Sequence, residues 1–135
     1  MKDIIQVNHE NLQVMIENSY TKKTPLFVHG TFGIGKSSAV KAYGKECSAR
    51  LGLKYSEDPS DINKEDTFLV LVIPLHQYDV SELKGIPVPS EDRKSTVFLP
   101  TGQLPAVGRG ILFFDELNLA PPLVQANAYQ LILDR

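Results

Sequence analysis

The chain has 135 residues, a formal net charge of −2, 42% hydrophobic residues and 22% charged residues. That length sets one domain with a real core, and that charge leaves no broad basic footprint, so nucleic acid is not an expected partner. No apolar run approaches the roughly 20 residues of a membrane span, and "MKDIIQVNHENLQ" turns polar too soon for a signal peptide. The single cysteine, Cys47, excludes an internal disulfide framework and fits a reducing compartment; a cytoplasmic location without membrane contact is expected.

Leu12, Met15, Ile16 and Tyr20 recur at three- and four-residue steps, which predicts an amphipathic helix over 9–20. After the polar break "YTKKTP", "LFVH" reads as a buried strand. A glycine-rich stretch follows. Val40, Tyr43, Cys47 and Leu51 then form one apolar helix stripe that Gly52 is placed to end; on that stripe Cys47 reads as a packed thiol. "SEDPSDINKED" is a charged, turn-rich loop. "TFLVLVIPL" is too continuously apolar for a half-exposed strand and suits a parallel sheet covered on both faces.

Residues 76–110 carry proline or glycine every few positions and read as loops with a small hairpin near "TVFL". "ILFF" opens another buried strand, the acidic-pair strand of 111–116. "PPLVQANAYQLILDR" closes as a helix with prolines in its first turn and Val124, Ala128 and Leu131 on one stripe. Strands alternating with helices, without repeats, make the expected class α/β.

The stretch "GTFGIGKS" satisfies G-x-x-x-x-G-K-[ST] through Gly30, Gly35, Lys36 and Ser37, between a predicted strand and a predicted helix. Successive backbone N–H groups must face an anion there, and side chains on the turn would block its approach. Gly35 stands where the helix begins, so a phosphate meets unpaired donors and the positive end of the helix dipole. Gly30, Thr31, Gly33, Ile34, Gly35, Lys36, Ser37 and Ser38 form the candidate nucleotide-binding set. Lys36 would reach the β- and γ-phosphates of ATP, and the Ser37 hydroxyl would ligate Mg2+.

"ILFFDELN" sets Asp115 and Glu116 at the carboxyl end of an apolar strand, where open α/β sheets bind ligands. Adjacent carboxylates are costly there unless a cation or a water uses them. Asp115 is the candidate magnesium residue. Glu116, with Lys36, is the candidate catalytic residue, positioning and activating the attacking water. "NKED", Asn63 to Asp66, matches a guanine-reading signature. It precedes both later strands, and no D-x-x-G follows the phosphate loop, so it reads as coincidence and the base as adenine.

His29 reads as a packed strand-end residue; His9 and His76 lack partners at metal-ligand spacing. Arg109, Arg93 and Lys94 read as solvated loop cations, and Pro87 and Pro89 as loop stiffeners.

Through "GTFGIGKS", "SELKGIPVP" and "GRGILFFDELNLAPPLVQANAYQLILDR", the chain from about Pro25 to Arg135 resembles an AAA+ ATPase of the MoxR and CbbQ/NorQ kind, related to dynein and midasin modules. The resemblance implies a P-loop NTPase core, a parallel sheet flanked by helices. It also implies ring-shaped homo-oligomers, usually hexamers, that spend ATP on remodelling a protein client, often with a von Willebrand factor A domain partner. It assigns Lys36, Ser37, Asp115 and Glu116 the roles already given. Leu119 stands where the family is usually basic, and Glu82 where Asp is expected.

The family continues with a sensor strand, an arginine finger, another strand and a helical lid. Its sheet inserts the sensor strand between the phosphate-loop and acidic-pair strands. The resemblance therefore implies that residues 1–135 are a C-terminally incomplete AAA+ domain with a gap in its sheet, weak or inactive alone. Two further readings remain: a nucleotide-binding or assembly module without independent catalysis, and a small-molecule P-loop kinase.

Overall fold

A computed structural model describes residues 8–29, 35–99, 102, 104, 105, 107–109 and 110–133. The architecture is mixed α/β, a three-stranded parallel sheet flanked by helices.

Helix α1 (His9–Lys22) begins where the Asn8 side chain accepts the Asn11 N–H at 2.9 Å, satisfying one of the four orphan donors of a helix start. It ends at Lys23, whose left-handed backbone (φ 54°) directs its N–H back to the Ser19 and Tyr20 carbonyls. Helix α2 (Lys36–Leu51) is likewise closed by left-handed Gly52. The two helices lie side by side with their starts together: Gln13 Nε2 donates to the Ala39 carbonyl at 2.8 Å, and Arg50 reaches Glu17 at 2.8 Å near their far ends. Leu12 and Ile16 thereby meet Ala39, Val40, Tyr43 and Cys47 in one core.

Strand β1 (Lys54–Ser56) pairs with β2 (Thr67–Pro74), and β2 pairs along its whole length with β5 (Arg109–Asp115), all parallel. Alternation on β2 serves two cores at once. Phe68 and Val70 enter the α1–α2 core, whereas Leu69, Leu71 and Ile73 face Leu83, Val124 and Ala128. A strand buried on both faces has no use for polar residues, which is why this one is continuously apolar. The second face is covered by α3 (Val80–Lys84) and α4 (Pro122–Leu133). In chain order, α3 is followed by the antiparallel hairpin of β3 (Ile86–Pro89) and β4 (Thr96–Leu99). Among the described residues no helix is long and apolar enough to cross a membrane.

Three local expectations are corrected. "LFVH" is not a strand: residues 24–29 lie outside helix and strand. Leu26 and Val28 pack on the α1–α2 core while Phe27 stacks on the Tyr129 ring at 5.6 Å. That alternation suits a strand, but a strand also needs a ladder partner, and among the described strands β5 pairs with β2 alone. Next, β1 arises where no strand was expected; its three residues are held by pairing with β2. Finally, 76–110 contains α3, started by a capping box in which Asp79 and Glu82 satisfy each other's backbone donors.

Candidate functional site

The candidate phosphate-loop residues Gly30, Thr31, Gly33 and Ile34 lie outside the described residues. The rest of the set is described. Gly35 is left-handed (φ 83°, ψ 25°) and precedes α2 without any side-chain cap. A side chain would be strained in that conformation, and a Cβ there would sit 3.0 Å from His9 Cε1. Two physical demands thus converge on glycine. Lys36 and Ser37 are half-buried in the first turn of α2, and Ser38 is exposed. A helix start lacking a side-chain cap offers its N–H groups to an anion.

The orientation of α2 decides what lies near that start. Its last turn closes through Gly52, with Leu53 N–H bonded to the Ser48 carbonyl at 2.9 Å, and the chain enters β1 at once. Lys54 pairs with Thr67, the first residue of β2, so α2 ends where the strands begin. Midway, Gly44 packs on Val70. A 16-residue helix is about 24 Å long and an eight-residue strand about 26 Å. The start of α2 therefore stands at the carboxyl end of the sheet, the end that carries Asp115 and Glu116.

Asp115 is the last residue of β5 and pairs with Pro74. It is half-buried, and its Oδ1 accepts the Glu116 N–H at 3.0 Å. Glu116 leaves the expected 111–116 strand: its backbone is left-handed (φ 55°, ψ 38°), ending the ladder at 115. For a residue with a Cβ this conformation is unusual and costs about 1–2 kcal/mol, so its surroundings hold it. One holder is His76, whose Nδ1 lies 2.7 Å from Glu116 Oε2. The Gln77 amide nitrogen lies 3.2 Å from His76 Nε2. An amide nitrogen only donates and a carboxylate only accepts, so this pair of bonds requires the Nδ1–H tautomer.

His76 had no visible role in the sequence. Thirty-nine positions separate it from residue 115, and only the register Pro74↔Asp115 brings the two strand ends together. The sole signal was a polar residue just past a buried strand.

Other candidates lie elsewhere. Asn63, in a left-handed turn (φ 67°), accepts the Val107 N–H on its Oδ1 at 3.2 Å. It and Arg109, the exposed first residue of β5, stand where the strands begin, opposite the acidic pair. "NKED" there is a loop clasp. His29 and Leu119 are exposed, so His29 is not the packed residue expected. Among the described residues no group of three or more His, Cys, Asp or Glu could hold a metal. Magnesium would need the mixed donor set of the Ser37 hydroxyl, the Asp115 carboxylate and ligand oxygens, a set that suits a hard cation retaining several waters.

No family model, no curated protein and no solved structure matches this chain.

Proposed function

We propose that the chain is the nucleotide-binding core of an ATP-hydrolysing P-loop machine of AAA+ type. The observation that carries this reading is the shared sheet end: Gly35, Lys36 and Ser37 open α2 beside the strand terminus that bears Asp115 and Glu116. The motif "GTFGIGKS" supplies the rest of the argument. Among the described strands β5 pairs on one side only, with β2, which fits the sheet gap that the AAA+ resemblance implies.

In this reading the α2 N–H groups and Lys36 hold the β- and γ-phosphates, and Ser37 and Asp115 hold the magnesium. The metal, when bound, neutralises phosphate charge. Glu116 orients a water and accepts its proton as the water oxygen bonds to the γ-phosphorus. The bond to the bridging oxygen breaks, and ADP departs with that electron pair. A homo-oligomeric ring, commonly a hexamer, acting on a protein client with a von Willebrand factor A domain partner, and a cytoplasmic setting, belong to the same proposal.

Calorimetry with magnesium and ATP, run beside phosphate release, tests it. Lys36→Ala is expected to weaken binding roughly 10- to 100-fold, the loss of one or two charge-assisted hydrogen bonds. Glu116→Gln should keep binding and lose turnover; unchanged turnover in that variant removes Glu116 from the chemistry. A second reading, a binding or assembly module without its own catalysis, is favoured by the engagement of Glu116 by His76. Tight binding with negligible phosphate release would select it.

A further inference from the structure

We propose that a second ligand site lies at the end of the sheet opposite Asp115 and Glu116, in a cleft between β2, α3 and α4 that takes a small amphipathic anion. The ligand has an aromatic or aliphatic body and one carboxylate or sulfonate head. The proposal stands apart from the ATP-hydrolysing reading above and does not depend on it.

Space is the first feature that carries it. A cavity of about 610 Å³ opens where the strands begin, lined by Leu69 and Leu71 of β2, Leu83 of α3 and Leu131 of α4. Packed layers leave few voids larger than a water molecule, and this volume falls within the range of roughly 300–1,000 Å³ typical of small-ligand clefts. The register explains the opening. Leu69 pairs with Gly110, so β5 brings no side chain to that rung. Helix α3, about 7.5 Å long, cannot cover a strand of about 26 Å. The floor is the second feature. Leu69, Leu71 and Leu83 are buried and belong to the second core, so the base of the cleft is apolar and held in place. An apolar body set on that floor leaves water, which favours binding without fixing its direction.

Charge is the third feature, and it supplies the direction. The whole chain carries −2. Among the described residues that line the cleft, however, Lys64, Lys84 and Arg109 stand against the single carboxylate of Asp61. Lys64 answers that carboxylate at 2.5 Å, which leaves the charges of Lys84 and Arg109 in excess. Arg109 is exposed at the first position of β5. The Lys84 ammonium lies 4.4 Å from the centroid of the Phe98 ring, a contact that places the charge without neutralising it. An apolar floor beside an excess of positive charge selects a ligand of the same two-part build.

Calorimetry and amide NMR of the intact chain, with naphthoate as the probe, test this. Binding should saturate, and the shifted amides should be those of Lys64, Leu69, Lys84, Gly110 and Leu131. The uncharged naphthamide should bind several-fold more weakly, and saturating magnesium–ATP should leave naphthoate affinity unchanged. Gln130 is an exposed residue of α4 that also lines the cleft, so Gln130→Trp should fill the space and abolish binding while the spectrum shows the fold kept. Lys84→Glu should weaken binding by at least about 2- to 5-fold, the range for an exposed charge pair, and added salt should narrow that difference. Wild-type affinity in Gln130→Trp overturns the site. So do shifts confined to the β3–β4 hairpin, displacement by magnesium–ATP, equal affinity for the amide, or no binding at millimolar naphthoate.

Discussion

Gly44 of α2 lies against Val70 of β2 so closely that a Cβ on the glycine would stand 2.4 Å from Val70 Cγ2 and 3.1 Å from Tyr55 Cε2. This absent side chain lets α2 settle onto the sheet and sets the layer spacing on which the candidate site depends. Gly44→Ala would add a better helix former but force the helix away from the strand. The expected net result is a loss of about 1–3 kcal/mol, read from chemical denaturation with an unchanged slope. Equal or greater stability would mean that the contact is loose.

Gly110 faces a harder obstacle. A Cβ there would lie 2.0 Å from the Leu69 carbonyl oxygen, which is backbone and cannot rotate aside. Gly110→Ala should therefore cost more than Gly44→Ala, at or beyond the upper end of the ~1–3 kcal/mol range for overpacking. Because β5 carries Asp115 at its far end, the variant should also weaken the proposed nucleotide binding. Wild-type stability and binding together would contradict the β2–β5 register.

Asp61 links stability to pH. The Lys64 ammonium, 2.5 Å from one carboxylate oxygen, holds its pKa below the usual range, and the Ser56 hydroxyl at 2.5 Å adds to the effect. The folded chain thus binds this proton less readily than the unfolded chain. The contribution is present above the unfolded carboxylate value of about 3.9 and is lost as pH falls through the lower folded value. Asp61→Asn should lower the melting temperature at pH 7 and flatten its decline below about pH 4. Lys64 is largely exposed, so salt should shrink the difference. An unchanged acid limb would remove Asp61 from the balance.

Cys47 is 2% exposed and packed among Leu12, Ile16, Val40 and Tyr43. A thiol so placed reacts only when the α1–α2 layer opens. Labelling by an aromatic disulfide reagent should be slow in buffer and should accelerate in step with unfolding by urea. Rapid labelling of the folded chain would show that this layer opens on its own.

The helices were legible because their signals are local. The stripe Val40, Tyr43, Cys47, with Gly52 after it, can be read without knowing what it packs against, and the structure gives α2 over Lys36–Leu51. The continuous apolar run of β2 announced burial on two faces, and both cores meet there. The start of α2 after Gly35 was legible for a similar reason, since a glycine before the apolar stripe is a local signal. α3 was hidden because its signal, Asp79 with Glu82, lay among prolines and glycines.

Strand status was settled by partners. The three residues of β1 are a strand through their pairing with β2, whereas "LFVH", richer in strand formers, gains no ladder. A strand's hydrogen bonds leave the segment, so the segment's own residues cannot determine them. The same reason governs His76 and Glu116. Sequence alone determined that an acidic pair follows an apolar strand, which the structure leaves half-buried; the parallel register of β2 and β5, a tertiary fact, decided that an imidazole would meet it.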